Sequence, residues 1–239
     1  MSSAPVTSTD ARWLVGLLQA GDSYYPTGAY AHSFGLEGLV QSGVVRDRTT
    51  LREFVFLSVL PNLRQAELPL AAQAYAAFEP TAPDWAKVGE LCVLAHALKS
   101  AKEARTATEN IGRQRAELTS TLHAHPLAQE YLKRAAEAGW PFSSAISAAL
   151  EGRVLGAPLE AVLVGVMYSS VAGLLAASMK VLRIGQNATQ TLLTEALSQA
   201  PALIDAASVV PMDEIGWFNP WLDIAAARHE TADGRMFIS

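Results

Sequence analysis

Thiol chemistry is nearly absent from this chain. Its 239 residues hold one cysteine, Cys92, which can neither close an internal disulfide nor build a thiolate metal cage, and a reducing, cytoplasmic setting is the expectation. Charge is also sparse. Only 17% of residues are Asp, Glu, Lys or Arg, and the net charge of −5 mixes its few basic residues among acidic ones. That leaves no cationic footprint for a nucleic-acid backbone, so nucleic acid is not an expected partner. No alternating strand pattern with hairpin turns, no internal repeat and no low-complexity tract appears. A Gly-rich phosphate loop is missing as well, so any nucleotide chemistry must come from elsewhere. The amino end, MSSAPVTSTD, has neither the basic start nor the apolar run of a secretory signal; export is not expected, and the Asn187-Ala188-Thr189 sequon reads as inert.

What remains is apolar and helical. Half of the residues are hydrophobic, enough for a large core. The fold class read from this is all-α: a single-domain helical bundle over residues 1–208, followed by a carboxyl-terminal docking arm over 209–239. Thr9 or Asp10 can cap a first helix striped by Trp13, Leu14, Leu17 and Leu18. Turn formers from Gly21 to Gly28 break the pattern, and a second helix is expected from near Tyr30 to Gly43. Thr50 and Glu53 read as a capping box, with Pro61 kinking or stopping the helix they open. Asp84 starts what the pattern makes the longest helix, with Val88, Leu91, Cys92, Ala95 and Leu98 on its apolar face and His96 at that face's boundary. Glu109, Arg113 and Glu117 stack opposite charges at four-residue spacing on an exposed face.

Residues from Ala161 to Met179 carry no charge and approach the length of a bilayer span. Gly165, Ser169, Gly173 and Ala177 share one face of this segment, which permits close helix packing; with no second span, a buried central helix is favoured over a membrane anchor. Two short helices are expected after it, from about Ala188 to Gln199 and from Pro201 to Ala207. From Val209 onward Pro211, Gly216 and Pro220 prevent a long helix, while Trp217, Phe218 and Trp221 are too apolar for an idle tail.

Three constellations invite a catalytic or metal reading. Ala31-His32-Ser33-Phe34-Gly35 is close to a hydrolase nucleophile elbow, with Asp223 and His229 downstream, but an elbow needs a strand before the serine and a turn stands there. Ser33 is better placed to bond backbone near a helix start. His229-Glu230-Thr231-Ala232-Asp233 falls one ligand short of the zinc-protease helix, and His123-x-His125 sits in a loop before Pro126. Neither makes a metal site, and no cofactor is expected.

Three further motifs, in order along the chain, resemble one family. The segment from Pro26 to Glu37, with Gly28, Ser33, Gly35 and Leu36, looks like the amino-terminal signature of the urease accessory protein UreF. Gly185-Gln186, leading to Leu192-Leu193, is similar to that family's Leu-Gly-Gln and Leu-Leu pair. Asp223-Ile224-Ala225, Arg228-His229-Glu230-Thr231 and Arg235-Met236-Phe237-Ile238-Ser239 match its terminus, with Met236 a volume-conserving exchange for the family's leucine.

The resemblance implies an all-helical, dimeric, non-enzymatic chain. With a second accessory protein, called UreD or UreH, it would recruit the GTPase UreG to apo-urease for nickel insertion. The residues expected to bind partners are Trp217, Phe218, Trp221 and Phe237 as apolar anchors, with Arg228, His229, Glu230 and Arg235 supplying charge. The tail would order against the second accessory protein. The competing readings are self-docking of individual aromatics, a GTPase-activating role for Arg235, and the serine hydrolase centred on Ser33.

Overall fold

The computed structural model describes residues 11–229 and 234–238. The expected caps Thr9 and Asp10 lie outside them. Among the described residues every regular element is helical and no strand occurs, in agreement with the all-α expectation.

The chain opens with α1, Arg12–Gly21. It turns Ala20 inward and sets Gly16 against Leu155, where a Cβ would lie 2.5 Å from that side chain. Leu14, Val15 and Leu18 are left exposed, so the apolar stripe is split between core and solvent. The turn after Gly21 is present, but the next segment differs from the single helix expected. A 3-10 turn, Ala29–Ala31, is followed by α2, Leu36–Gln41, because Phe34 at φ 50° and Gly35 at φ 87° are left-handed and interrupt any helix.

Asp47, not Thr50, caps α3, Arg48–Phe54. Its carboxylate accepts the Thr50 N–H at 2.9 Å, and the Thr50 hydroxyl accepts the Asp47 N–H at 3.1 Å. Pro61 does not stop the helical path. The segment continues through a π-turn at Val55–Val59, α4 at Leu60–Asn62, a second π-turn at Leu63–Glu67 and α5 at Leu68–Ala77. Pro61 and Pro69 lack the N–H that an α-ladder requires, and wider i to i+5 turns beside them keep the chain helical.

Asp84 caps α6, Trp85–Ala97, by accepting the Lys87 N–H at 3.0 Å. This helix is shorter than expected; α7, Lys102–His123, and α10, Leu159–Val181, exceed it. Between those two lie α8, Pro126–Ala138, and α9, Ser144–Leu155, which end at Gly139 and Gly156. After α10 come α11, Gln186–Leu197, and α12, Ala200–Ser208, close to the expected short pair.

The most enclosed element is α9, whose residues from Ala145 to Gly152 are all buried, and it packs against α5 and α7. Small residues make that possible. A Cβ on Gly112 would sit 2.5 Å from the Ser143 backbone, and one on Gly152 would sit 2.2 Å from Val162. Above α9 the rings of Phe78, Tyr131 and Phe142 meet edge to face at 5.4 and 5.7 Å. Burial pushes the nearby Cys92 thiol up to about 11, which leaves it an inert core side chain.

The uncharged helix α10 is only partly central. It packs on α1, α2, α5, α9, α11 and α12, yet Val164, Tyr168 and Met179 remain exposed. It is long and apolar enough to cross a membrane by length and composition alone.

Candidate docking site formed by the arm and the signature loop

The arm is tied to the body residue by residue. A 3-10 turn, Met212–Glu214, delivers Ile215 into the core. Gly216 N–H then donates to the Gln65 carbonyl at 3.0 Å, and the Gln65 amide donates back to the Glu214 carbonyl at 3.0 Å. Asn219 fixes the start of α13, Pro220–His229: its side chain accepts the Leu222 N–H at 3.2 Å and donates to the Ser58 hydroxyl at 3.1 Å. Pro220 follows this cap at the first helical position, where its missing N–H costs nothing. Thus the prolines that argue against a long helix help to start a short one.

Gly35 of the signature and Gly38 just beyond it make room for α13. A Cβ on Gly38 would lie 2.6 Å from the Ala225 carbonyl oxygen, and one on Gly35 would lie 2.7 Å from Leu222. With α13 seated this closely, Ala225 is buried, whereas Phe218 and Trp221 stand 73% and 78% exposed and Ile224 is exposed beside them. Trp217 is half-buried. Together with Phe34, Leu63, Leu98 and Leu222 it lines a cavity of about 180 Å³ between arm and body, bordered by the ion pair of Lys99 with Glu67.

The last described residues fold back onto the signature. Met236 and Phe237 donate their N–H groups to the Glu37 carboxylate at 2.8 and 3.0 Å, and Ile238 N–H donates to the Ala31 carbonyl at 2.9 Å. Arg235 donates to the Glu103 carboxylate at 2.6 Å. Phe237, expected as an outward anchor, is 5% exposed and lies 5.1 Å from the Lys180 ammonium. Its ring is used within the chain, because the tail returns to the body and the cation favours the aromatic face. Arg228 is exposed; the His229 side chain and Glu230, with Thr231 to Asp233, lie outside the described residues, and so does Ser239.

Ser33 does not sit on an elbow. It is fully buried after a 3-10 turn, and its hydroxyl accepts the Glu37 N–H at 3.3 Å at the start of α2. The neighbouring His32 is buried with its ring 6.0 Å from Phe34; desolvation lowers its pKa, partly opposed by Glu103. Gly28 takes the left-handed conformation at φ 78° before the 3-10 turn, and Pro26 is exposed. Gly185 and Gln186 serve elsewhere, at the start of α11, where the Gly185 carbonyl accepts the Ala188 and Thr189 N–H groups at 3.0 and 3.2 Å.

Other histidines fall where local chemistry puts them. His96, expected at the core boundary, is exposed and pairs with Glu109, which takes Glu109 away from the charge ladder. Arg113 turns instead to the Phe142 ring at 4.9 Å. The His125 side chain accepts the Leu127 N–H at 3.2 Å and caps α8. Among the described residues no three His, Cys, Asp or Glu side chains are placed to hold a metal.

Sequence reasoning passed over Gly38, Glu103 and Lys180. Gly38 carried a readable signal, being the second glycine three residues after Gly35 on a short helix. The other two are surface-type charges in sequence, and their contacts with the returning tail come from the fold.

A family model for UreF matches residues 45–197. The chain belongs to the UreF family. The chain is 31% identical over 233 residues to the urease accessory protein UreF of Paenarthrobacter aurescens, covering 96% of this chain and 99% of that protein. With the UreF of Methylibium petroleiphilum the identity is 30% over 242 residues, covering 98% of each. With that of Bacillus sp. strain TB-90 it is 28% over 226 residues, covering 95% and 99%. The UreF model itself stops short of both the signature loop and the arm, but these relatives align across nearly the whole chain, so both segments of the candidate site lie within the shared length.

Proposed function

We propose that this chain is a scaffold in urease maturation, which together with a UreD/UreH-type accessory protein recruits the UreG-type GTPase to apo-urease for nickel insertion. Family membership supports the setting. The observation that carries the scaffold reading is the outward pair Phe218 and Trp221 on an arm that is itself firmly capped and packed. Large aromatics on a fixed backbone are the residue types that dominate binding energy once a partner covers them, since their two side-chain torsions leave little entropy to lose. Arg228 and Arg235 add charge nearby for specificity and register.

The double variant Phe218→Ala/Trp221→Ala tests this on the full chain. Both side chains are exposed, so thermal stability should stay within about 1 kcal/mol of the parent. Capture of the UreD/UreH-type protein should fall by roughly a hundredfold if two anchors of about 1.4 kcal/mol each are lost. Unchanged capture would overturn the assignment of this surface.

The dimer implied by the resemblance is supported by the uncovered face of α10. Val164, Tyr168 and Met179 are exposed there, and a Cβ on Gly165 or Gly173 would meet nothing within 4 Å. A face with no charge from residue 161 to 179 can meet its own copy without setting like charges against each other.

A further inference from the structure

Two opposite charges are withdrawn from water where the end of α1 meets α7 and α9. Glu151, in α9, is 2% exposed, and each of its carboxylate oxygens has its own donor: the Tyr25 hydroxyl at 2.6 Å and the Arg115 guanidinium of α7 at 3.1 Å. The guanidinium is forked. Its second terminal nitrogen donates to the Ala20 carbonyl at 3.2 Å, in the last turn of α1, where carbonyls have no partner inside the helix. Tyr25 belongs to the turn that leads from α1 into the signature loop, and its buried ring lies 5.9 Å from the guanidinium. Among the described residues it supplies the one side-chain hydrogen bond between residues 22–28 and the helices. Burial and the Glu151 carboxylate push its phenol well above the ordinary pKa of 10.0, so it stays a donor.

A buried ion pair is a poor source of stability, because both ions lose their water and apolar residues of similar volume often serve a fold as well or better. Direction is another matter. A forked guanidinium accepts few arrangements of its acceptors, whereas an apolar contact tolerates sliding.

We infer that Arg115 and Glu151 form a positioning pair, which sets the end of α1 and the entry to the signature loop against α9 in a single arrangement. Arg115 takes α1 by its terminal carbonyl, and Glu151 takes the loop by Tyr25. The exposed apolar face of α1, with Leu14, Val15 and Leu18, is thereby held in a fixed relation to the loop, which presents Tyr30 and Phe34 to solvent and seats α13 through Gly35. Both elements share one anchor. The device is built from this chain alone and does not depend on the scaffold reading.

Amide exchange of the isolated full-length protein, followed by NMR, tests each limb. The Asp22 amide, bonded to the Gln19 carbonyl, reports on the end of α1, while the Tyr25 and Thr27 amides, bonded to the Asp22 and Tyr25 carbonyls, report on the turn. Tyr25→Phe removes one oxygen and should speed the two turn amides about tenfold with Asp22 unchanged. Arg115→Lys keeps the charge but cannot span both acceptors, and should speed Asp22 by about tenfold. Glu151→Gln, which leaves Arg115 without its counter-charge, should speed all three. Unchanged exchange at the turn in the first variant or at Asp22 in the second overturns the assignment, and an effect of Glu151→Gln confined to the turn overturns the shared anchor.

The variant Tyr25→Phe/Arg115→Met/Glu151→Leu separates positioning from stability, since it nearly keeps the volume and removes every hydrogen bond of the network. The expected result is a urea midpoint at or above the parent's, with the three amides about tenfold faster and the α9 amides no faster than in the parent. Exchange equal to the parent's at all three sites means that apolar packing alone fixes the geometry, and overturns the inference. A lowered midpoint with the α9 amides accelerated alongside marks a merely structural role and overturns it as well.

Discussion

Glycine at 112 illustrates how a single hydrogen atom can decide a packing distance. The α7–α9 contact brings the Ser143 backbone within 2.5 Å of where a Cβ would stand, and backbone cannot swing aside as a flexible side chain can. Gly112→Ala should therefore destabilise the protein by about 1–3 kcal/mol despite alanine's better helix propensity, lowering the thermal midpoint by several degrees. Urea denaturation measures this directly, and an unchanged midpoint would contradict the contact. His32 makes a second prediction at this scale. Its pKa is lowered from 6.5 in the fold by desolvation, so the unfolded chain binds the proton more readily. The stability it contributes is therefore full above pH 6.5 and is lost as pH falls through its lower folded value. Stability followed from pH 7.5 to 5 should decline, and His32→Asn should flatten that decline; an equal slope in both would assign the pH dependence to other groups.

Among the elements, the arm departs most from its sequence pattern. Its aromatics read as one set, and the fold divides them. Phe218 and Trp221 face water, Trp217 borders the cavity, and Phe237 is buried near Lys180. Arg235 is held at the end of this element by Glu103, which bears on how it could act. Arg235→Ala, assayed for both GTPase capture and GTP turnover, should weaken capture with little effect on turnover per bound complex, as expected of a recruiting contact. Normal capture with turnover slowed by roughly a thousandfold would instead mark an arginine supplied to the nucleotide. Helix α10 shows the same division. Its lack of charge reads as a buried central helix, but α1, α2, α5, α9, α11 and α12 cover only part of its circumference.

At the scale of the whole molecule, the open side of α10 determines how copies would meet. Placing a charge there should be tolerated by the monomer and not by a dimer. Tyr168→Glu is expected to shift sedimentation toward the monomer at micromolar concentration while the helical circular-dichroism signal stays intact; a species of unchanged mass would show that self-association, if present, uses another face. The candidate docking site is built from both arm and body. Ile215 and Ala225 are core residues, and α13 rests closely on Gly35 and Gly38. Arm and body are one packed unit, with Gly38 against Ala225 and Gly35 against Leu222.

Much of this was legible without coordinates because it is written in interactions that reach no further than four or five residues. The three-to-four spacing of apolar residues, the Asp84 cap and the short pair α11 and α12 all depend on neighbours along the chain, so sequence alone determined the helical class and several helix positions. Local reading misplaced the cap at Thr50, because Asp47 three residues earlier accepts the Thr50 N–H and starts the helix there, and it lost the second helix to the left-handed Phe34-Gly35 pair. Which helix is central, which aromatics face water, and that Glu37 receives the tail were decided by tertiary structure. Those outcomes depend on which surfaces compete for the same space and on hydrogen bonds between chain ends about 200 residues apart, and no short-range pattern encodes either.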